Sequence, residues 1–332
     1  MPAARPTVWT DVVLHPDALA LLQAQSRLIG PSVVPVPAVD RLATLPEADA
    51  AIVTSLFPGN AATFARAPRL RVVARTGIGY DNVNIADATA AGICVLNTPD
   101  APTESTAEFS IGLMFAVARR IATADIHAKR GIWKNDAATM GFDLAGKTLG
   151  LVGFGRIARR VAEIARTIRM RVLACDPFVA PEIFQQAGVT SCATLPDLLR
   201  ESRVLSIHAP LGPETRGMID ATALALLPVG AILINAARGP LIDETALLQA
   251  LNSGHLAGAG LDVWSKEPVA PDHPLFIHPL VVATPHIAFA THEGKRRSHV
   301  AAAEMVLAAL RGERPATLIN PEIWPPRPTP TT

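Results

Sequence analysis

Cysteine is scarce. The 332-residue chain has three, Cys94, Cys175 and Cys192, whose spacing is unpaired and which lie in or near apolar stretches. That gives no disulfide framework, so each is expected to be a small buried hydrophobe in a reducing compartment. Net charge of one sign is also nearly absent, with 30 Lys and Arg against 29 Asp and Glu and a formal charge of +1. The basic residues are spread along the chain rather than gathered in a run, which argues against a nucleic-acid partner or a membrane surface and leaves a small molecule. No apolar run reaches the roughly 18 residues that cross a bilayer. The start, MPAARPTVWTD, lacks the basic-then-apolar pattern of a leader, and the expected location is cytoplasmic. No tandem repeat is present, and no spacing of His with carboxylates demands a metal. What is abundant is apolar: 49% hydrophobic against 18% charged residues suffices for a sizeable core, and the length suits two domains.

Up to about Pro102, short apolar runs (Ala50–Thr54, Leu70–Ala74, Ile93–Leu96) alternate with Ala-rich stretches such as Pro16–Leu28, expected to be helical. This pattern predicts a small parallel α/β unit. Ser105-Thr106-Ala107-Glu108 then has the form of a capping box, and Ala107, Ile111, Met114, Phe115 and Ala118 follow at helical spacing. A second α/β series has strand candidates at Thr148–Val152, Arg171–Cys175, Val204–Ile207, Ala231–Asn235, Ala257–Leu261 and Val281–Ala283. Six such runs suit a complete dinucleotide fold. Thr291 to Gly312 is again helical in pattern, and the proline-rich ending PRPTPTT reads as a loose tail.

The first strand of the second series runs into Gly153-Phe154-Gly155-Arg156-Ile157-Ala158, with a helical stretch Arg159–Ile168 behind it. One glycine permits the tight turn, the next lets backbone approach a phosphate, and the helix start offers N–H groups with partial positive charge. Ala158 stands where a third glycine is usual. The following strand ends at Asp176, 21 residues past Gly155, where an acid binds ribose hydroxyls and repels a 2′-phosphate, so NAD is expected over NADP. Asp176 followed by Pro177 can also start an ordinary turn.

KTLGLVGFGRIAR, HAPLGPETRGMI, INAARGPLIDETAL, GAGLDVWSKEP and ATPHIA, in this order and spacing, together resemble the D-2-hydroxyacid dehydrogenases. The resemblance extends forward through RTGIGYDNVNI and NTPDAPTESTAE and back to LINPEIW, and is nearest to short members similar to phosphoglycerate dehydrogenase. It implies a Rossmann-type NAD-binding domain, residues 104–290, inserted in a flavodoxin-like α/β substrate domain made of residues 1–103 and 291–332. It also implies a cleft site, a homodimer, and hydride transfer between nicotinamide and C2 of a small 2-oxo or 2-hydroxy acid.

Within that resemblance, Arg238, at the carboxyl end of a strand, would grip the substrate carboxylate with its planar fork. His286, in the Pro-His motif, would be the general acid–base. Glu267 would contact the imidazole, fix its tautomer and favour the charged donor. Arg75, Gly77, Ile78 and Gly79 resemble the substrate loop, whose successive N–H groups form a nest for a carboxylate. Cofactor contacts are expected from Gly153, Gly155, Arg156, Ile157, Asp176, His208, Ala209, Pro210, Thr215, Ala236, Ala237, Ala288 and Thr106. Asp262 is expected at the nicotinamide carboxamide, although an aspartate ending a strand can equally cap the next turn.

The sequence departs from the phosphoglycerate pattern at Thr54-Ser55-Leu56, where an arginine reaching a substrate phosphate is usual; Arg75 is the cation left for such a phosphate. Glyoxylate, hydroxypyruvate and other 2-oxo acids stay open. Two other functions compete with this reading. An NAD-sensing binding protein or corepressor of the same family is opposed by the complete Arg238, Glu267 and His286 set. An amino-acid dehydrogenase is opposed by the absence of a catalytic lysine from these motifs.

Overall fold

Alternation decides which side of each strand is buried, and in this computed structural model nearly every strand is covered on both sides. Residues 5–34, 40–134 and 136–327 are described. The chain divides into two units, Met1–Pro102 with Ala290–Thr332, and Thr103–Phe289.

The first unit is a five-stranded parallel sheet of β1 (Thr7–Thr10), β2 (Arg27–Ile29), β3 (Ala50–Val53), β4 (Val72–Arg75) and β5 (Cys94–Asn97), in the order β2-β1-β3-β4-β5. That is the flavodoxin-like order. Ala50 and Ile52 join Val8, Val72 and Ala74 against Ala302, Ala303 and Val306 of the C-terminal helix His292–Leu310. Ala51 and Val53 face the other way, with Trp9, Val73, Phe57 and Phe64. The period of two on strands covered twice makes these runs continuously apolar in sequence.

The second unit holds seven parallel strands, β6 (Thr148–Val152), β7 (Arg171–Cys175), β8 (Thr190–Ser191), β9 (Val204–Ile207), β10 (Ala231–Asn235), β11 (Leu256–Leu261) and β12 (Val281–Ala283). Their order, β8-β7-β6-β9-β10-β11-β12, is the doubly wound dinucleotide-binding order with one strand added, and reverses between β6 and β9. The long helix Thr103–Ala118 covers one face so closely that side chains at Gly258 and Gly260 of β11 would run into Val117 and Leu113. Helix Arg156–Thr167 buries Ala158, Val161, Ala162 and Ala165, a stripe at helical spacing, and turns its arginines outward.

Several expectations are corrected. The helix expected over Pro16–Leu28 stops at Gln25, where Ser26 donates from both its backbone N–H and its hydroxyl to the Leu22 carbonyl; Arg27–Ile29 then pairs with β1. The long helix begins at Thr103, so Ser105 is a buried helix residue and not a cap. The glycine-turn helix starts at Arg156 rather than Arg159. Cys94 is buried, but Cys175 and Cys192 are only half-buried. The proline-rich ending lies outside the described residues from Pro328 onward.

Candidate active site

In the second unit the site residues fall into two groups, both at the carboxyl ends of the sheet. The first surrounds the switch between β6 and β9. Gly153 has φ of 85°, and a Cβ there would come within 3.0 Å of the backbone of His208 and Ala209; only glycine fits both the left-handed backbone and the close approach. Phe154 is fully buried and stacks on Phe184 at 4.7 Å, anchoring the turn. At Gly155 a Cβ would meet nothing within 4 Å, and as N-cap of the next helix Gly155 contributes no side-chain bond. The result is a helix N-terminus with open space beside Gly155, which fits a pyrophosphate.

Asp176 has two tasks already. One oxygen accepts from Phe154 N at 2.8 Å and the other from Phe178 N at 2.9 Å, so the carboxylate holds the glycine turn as well as starting its own. The cationic helix start is partly neutralised: Arg160 is held bidentately by Glu104 and also pairs with Glu163 at 2.8 Å. Arg156 and Ile157 open that helix. His208 donates its backbone N–H to Val152 and shares a 2.9 Å side-chain hydrogen bond with Ser206; burial pushes it down to about 4, so it is neutral at physiological pH. Ala209 and Pro210 continue from it, and the Thr215 hydroxyl donates to the Pro210 carbonyl at 2.7 Å while accepting from Gly212 N, closing that loop. Thr106 is buried on the long helix, where its carbonyl accepts from Ser110.

The second group follows β10, β11 and β12. His286 sits in the left-handed region with φ of 56°, and its Nδ1 donates to Glu267 at 2.7 Å. The other Glu267 oxygen accepts from Trp264 N at 3.0 Å. Burial alone would raise the Glu267 carboxyl, but the hydrogen bond and charge of His286, the Trp264 N–H and the Arg238 charge outweigh it and hold the group below its ordinary value. Trp264 also ties the Glu267 loop to the segment before His286, through Nε1 to the Thr284 carbonyl at 3.1 Å. Arg238 follows Ala236 and Ala237 in a turn shaped by Asn235, a fully buried side chain that donates to the Arg238 carbonyl and accepts from Ala237 N. A Cβ at Gly239 would lie 1.9 Å from the Trp264 carbonyl carbon. The Arg238 and Glu267 loops are therefore packed backbone to backbone.

Asp262, expected at the carboxamide, also holds the turn that follows β12. It is fully buried, and its oxygens accept from the Thr284 hydroxyl and from Ile287 N and Ala288 N at 2.6–2.9 Å, while its carbonyl accepts from His286 N. A strand-end aspartate beside three donors serves the turn that carries His286. Asn235, Trp264 and Thr284 were missed because strand-end polar residues and a loop tryptophan have no spacing signature.

In the first unit, Gly77 has φ of 145° and donates to the Thr98 hydroxyl at 2.7 Å, which in turn meets the Ser298 hydroxyl at 2.9 Å. The Gly77 N–H is therefore engaged within the loop. The Ile78 and Gly79 N–H groups have no hydrogen-bond partner among the described residues. The Ile78 carbonyl accepts from Asn97. Arg75 is buried and donates to the Thr76 carbonyl. Asp11, nearby, is raised above its ordinary range by burial despite two bonds from Thr54 and the charges of Arg41 and Arg75.

Among the described residues no group of three or more His, Cys, Asp or Glu could hold a metal, and no helix is long and apolar enough to cross a membrane. A doubly wound sheet with an open glycine turn at its switch point, and a His–carboxylate pair beside an arginine at the same edge, defines a nicotinamide-dinucleotide oxidoreductase. Residues 111–288 match the family described as D-isomer specific 2-hydroxyacid dehydrogenase, NAD binding domain. The glyoxylate reductase of Aeropyrum pernix is 40% identical over 326 residues, 96% of this chain and 97% of that one. The D-3-phosphoglycerate dehydrogenase of Mycobacterium leprae is 43% identical over 279 residues, 84% of this chain but 52% of that one, so the chain spans about half its length. Among solved structures, the D-lactate dehydrogenase of Aquifex aeolicus complexed with NAD and lactic acid has a TM-score of 0.80 at 28% identity, with 92% of this chain and 96% of that one covered. The chain belongs to the D-isomer specific 2-hydroxyacid dehydrogenase family, and its cofactor is NAD.

Proposed function

We propose that the chain reduces a small 2-oxo acid to the D-2-hydroxy acid, and runs the reverse oxidation, with glyoxylate or hydroxypyruvate as the substrate type. The observation that supports this most is the Glu267–His286 hydrogen bond of 2.7 Å, made between loops that Trp264 and Gly239 join to the Arg238 turn. Bound NADH supplies the hydride. Arg238 orients the substrate by its carboxylate and polarises the neighbouring carbonyl. The His286 ring, with Nδ1 bonded to Glu267, has Nε2 left to donate a proton to the carbonyl oxygen, or to remove one from the hydroxyl in oxidation. The Ile78 and Gly79 N–H groups, with the Arg75 charge behind them, suit a carboxylate.

Gly153, Gly155, Arg156 and Ile157 suit the pyrophosphate, and Asp176 the adenosine ribose. His208, Ala209, Pro210, Thr215, Ala236 and Ala237 line the strand ends between these and the nicotinamide end. A small substrate is favoured over a phosphorylated one because the loop after β3 offers Thr54, held by Asp11, then Ser55 and exposed Leu56, with no cation. The near end-to-end match to a glyoxylate reductase supports the same choice. A homodimer fits the exposed Ile121, Ile126, Trp133 and Met140, which lie within about twenty residues of one another in sequence. The unpaired cysteines suit a cytoplasmic location.

The test is NADH oxidation with a panel of 2-oxo acids. Turnover of glyoxylate or hydroxypyruvate, with phosphohydroxypyruvate poorer, is expected. NADH binding without turnover of any member of the panel would overturn the reading in favour of a binding protein.

A further inference from the structure

At the opposite end of β4 from Arg75, three arginines lie about one carboxylate, and only Arg69 bonds it. Asp49, almost fully buried, accepts from Thr7 N at 2.8 Å and from Arg69 at 3.1 Å. Arg327 lies along the same segment, donating to the Pro68 and Leu70 carbonyls at 2.9 and 2.8 Å. Between them Arg71 is 8% exposed, its backbone bonded to Asp49 and its side chain making no hydrogen bond or ion pair among the described residues. The Nε atoms of Arg69, Arg71 and Arg327 are all buried without a partner. Three positive charges face one negative charge that is already engaged.

Buried polar atoms in native proteins are satisfied, and a cluster of orphans at one place signals an absent acceptor. Burying a charge is costly, and burial lowers Arg71 from its ordinary value; the attraction of Asp49 opposes this, and repulsion from Arg69 and Arg327 adds to it. Water can accept hydrogen bonds but cannot balance the charge.

We propose that Arg69, Arg71 and Arg327 form a binding site for a small oxyanion, inorganic phosphate or a phosphate monoester, at the amino end of β4. The Nε donors of Arg69, Arg71 and Arg327 are left over once Arg69 has met Asp49 and Arg327 the Pro68 and Leu70 carbonyls, and the oxygens of a small anion suit such guanidinium donors. The site stands apart from the proposed reaction. β4 runs four residues from Val72 to Arg75, so the two ends are separated by about 13 Å of strand.

The test uses the full chain with saturating NADH, so that the cofactor's own phosphate site is filled, and compares wild type with Arg71→Met by calorimetric titration of inorganic phosphate at constant ionic strength. Saturable binding by the wild type, weakened about tenfold or more in Arg71→Met, is expected, that factor being the loss of one charge-assisted contact. Arg71→Met should keep wild-type turnover, which shows that it folds. Should it not fold, Arg327→Met is the second variant, with the same expected loss. Titration with a sugar phosphate distinguishes a monoester site from one restricted to the free ion. No saturable binding by the wild type, or equal binding by wild type and variant, would overturn the proposal.

Discussion

The carboxylate of Asp176 gives the most quantitative expectation. With NADP, a dianionic 2′-phosphate would stand about 5 Å from it, a repulsion of about 2 kcal/mol in water-like surroundings and about 7 kcal/mol at an effective dielectric of 20. Asp176 is half-buried, which puts the value toward the lower end, and the ribose hydroxyl bond to a charged acceptor, about 1.5–3 kcal/mol, is lost as well. The nearest counterweight is diminished because Arg160 is already paired with Glu104 and Glu163. Together these give about 3.5–5 kcal/mol, a preference for NADH over NADPH of about 10³ in kcat/KM. Asp176→Asn keeps an oxygen for the Phe154 N–H while removing the charge, and its preference should fall to about tenfold. Asp176→Ser also loses the bonds that hold the glycine turn, so its kcat/KM with NADH should drop too. The assay is kcat/KM with both cofactors and one 2-oxo acid. Equal use of NADH and NADPH by the wild type would refute the reasoning, because it would place the carboxylate away from the ribose.

Arg238→Lys keeps the charge but loses the fork, and should raise KM for the oxo acid and lower kcat together; a change confined to the cofactor KM would reassign Arg238. Gly239→Ala forces a Cβ to within 1.9 Å of the Trp264 carbonyl carbon, so thermal unfolding should show a loss of about 1–3 kcal/mol and turnover should fall with it; wild-type stability and rate would show that the two loops are not coupled. For Glu267→Gln the charged acceptor 2.7 Å from His286 Nδ1 becomes a neutral one, so the ring is held less firmly and kcat should fall about tenfold while NADH binding stays close to wild type. A wild-type kcat would count against the pair. The lowered Glu267 carboxyl means that its contribution to stability is present above the ordinary carboxylate range and is lost only as pH falls through the depressed folded value.

Most of the second sheet could be read from the sequence because its strands are covered on both faces, so runs such as Ala231–Asn235 are apolar throughout and end where turn residues begin. β2 was hidden because Arg27-Leu28-Ile29 continues the apolar period of the preceding helix, and only pairing with β1 makes it a strand. β8 has two exposed residues and no pattern to read. At the site, Arg238, Glu267 and His286 were legible through motifs, whereas the residues that join them were not. Trp264 bonds Glu267 and Thr284 across 20 residues of sequence, and Asp262 reaches forward to Ile287 and Ala288. Such contacts depend on how strand ends lie side by side, which spacing does not encode.

The central claim is that His286 moves the proton, and His286→Asn tests it most directly. Asparagine tolerates the left-handed backbone found there, φ of 56°, so the turn should persist. With glyoxylate or hydroxypyruvate the account predicts NADH binding close to wild type, measured by fluorescence titration, and a kcat lower by about 10²–10⁴. A variant that binds NADH and turns over near the wild-type rate would contradict it.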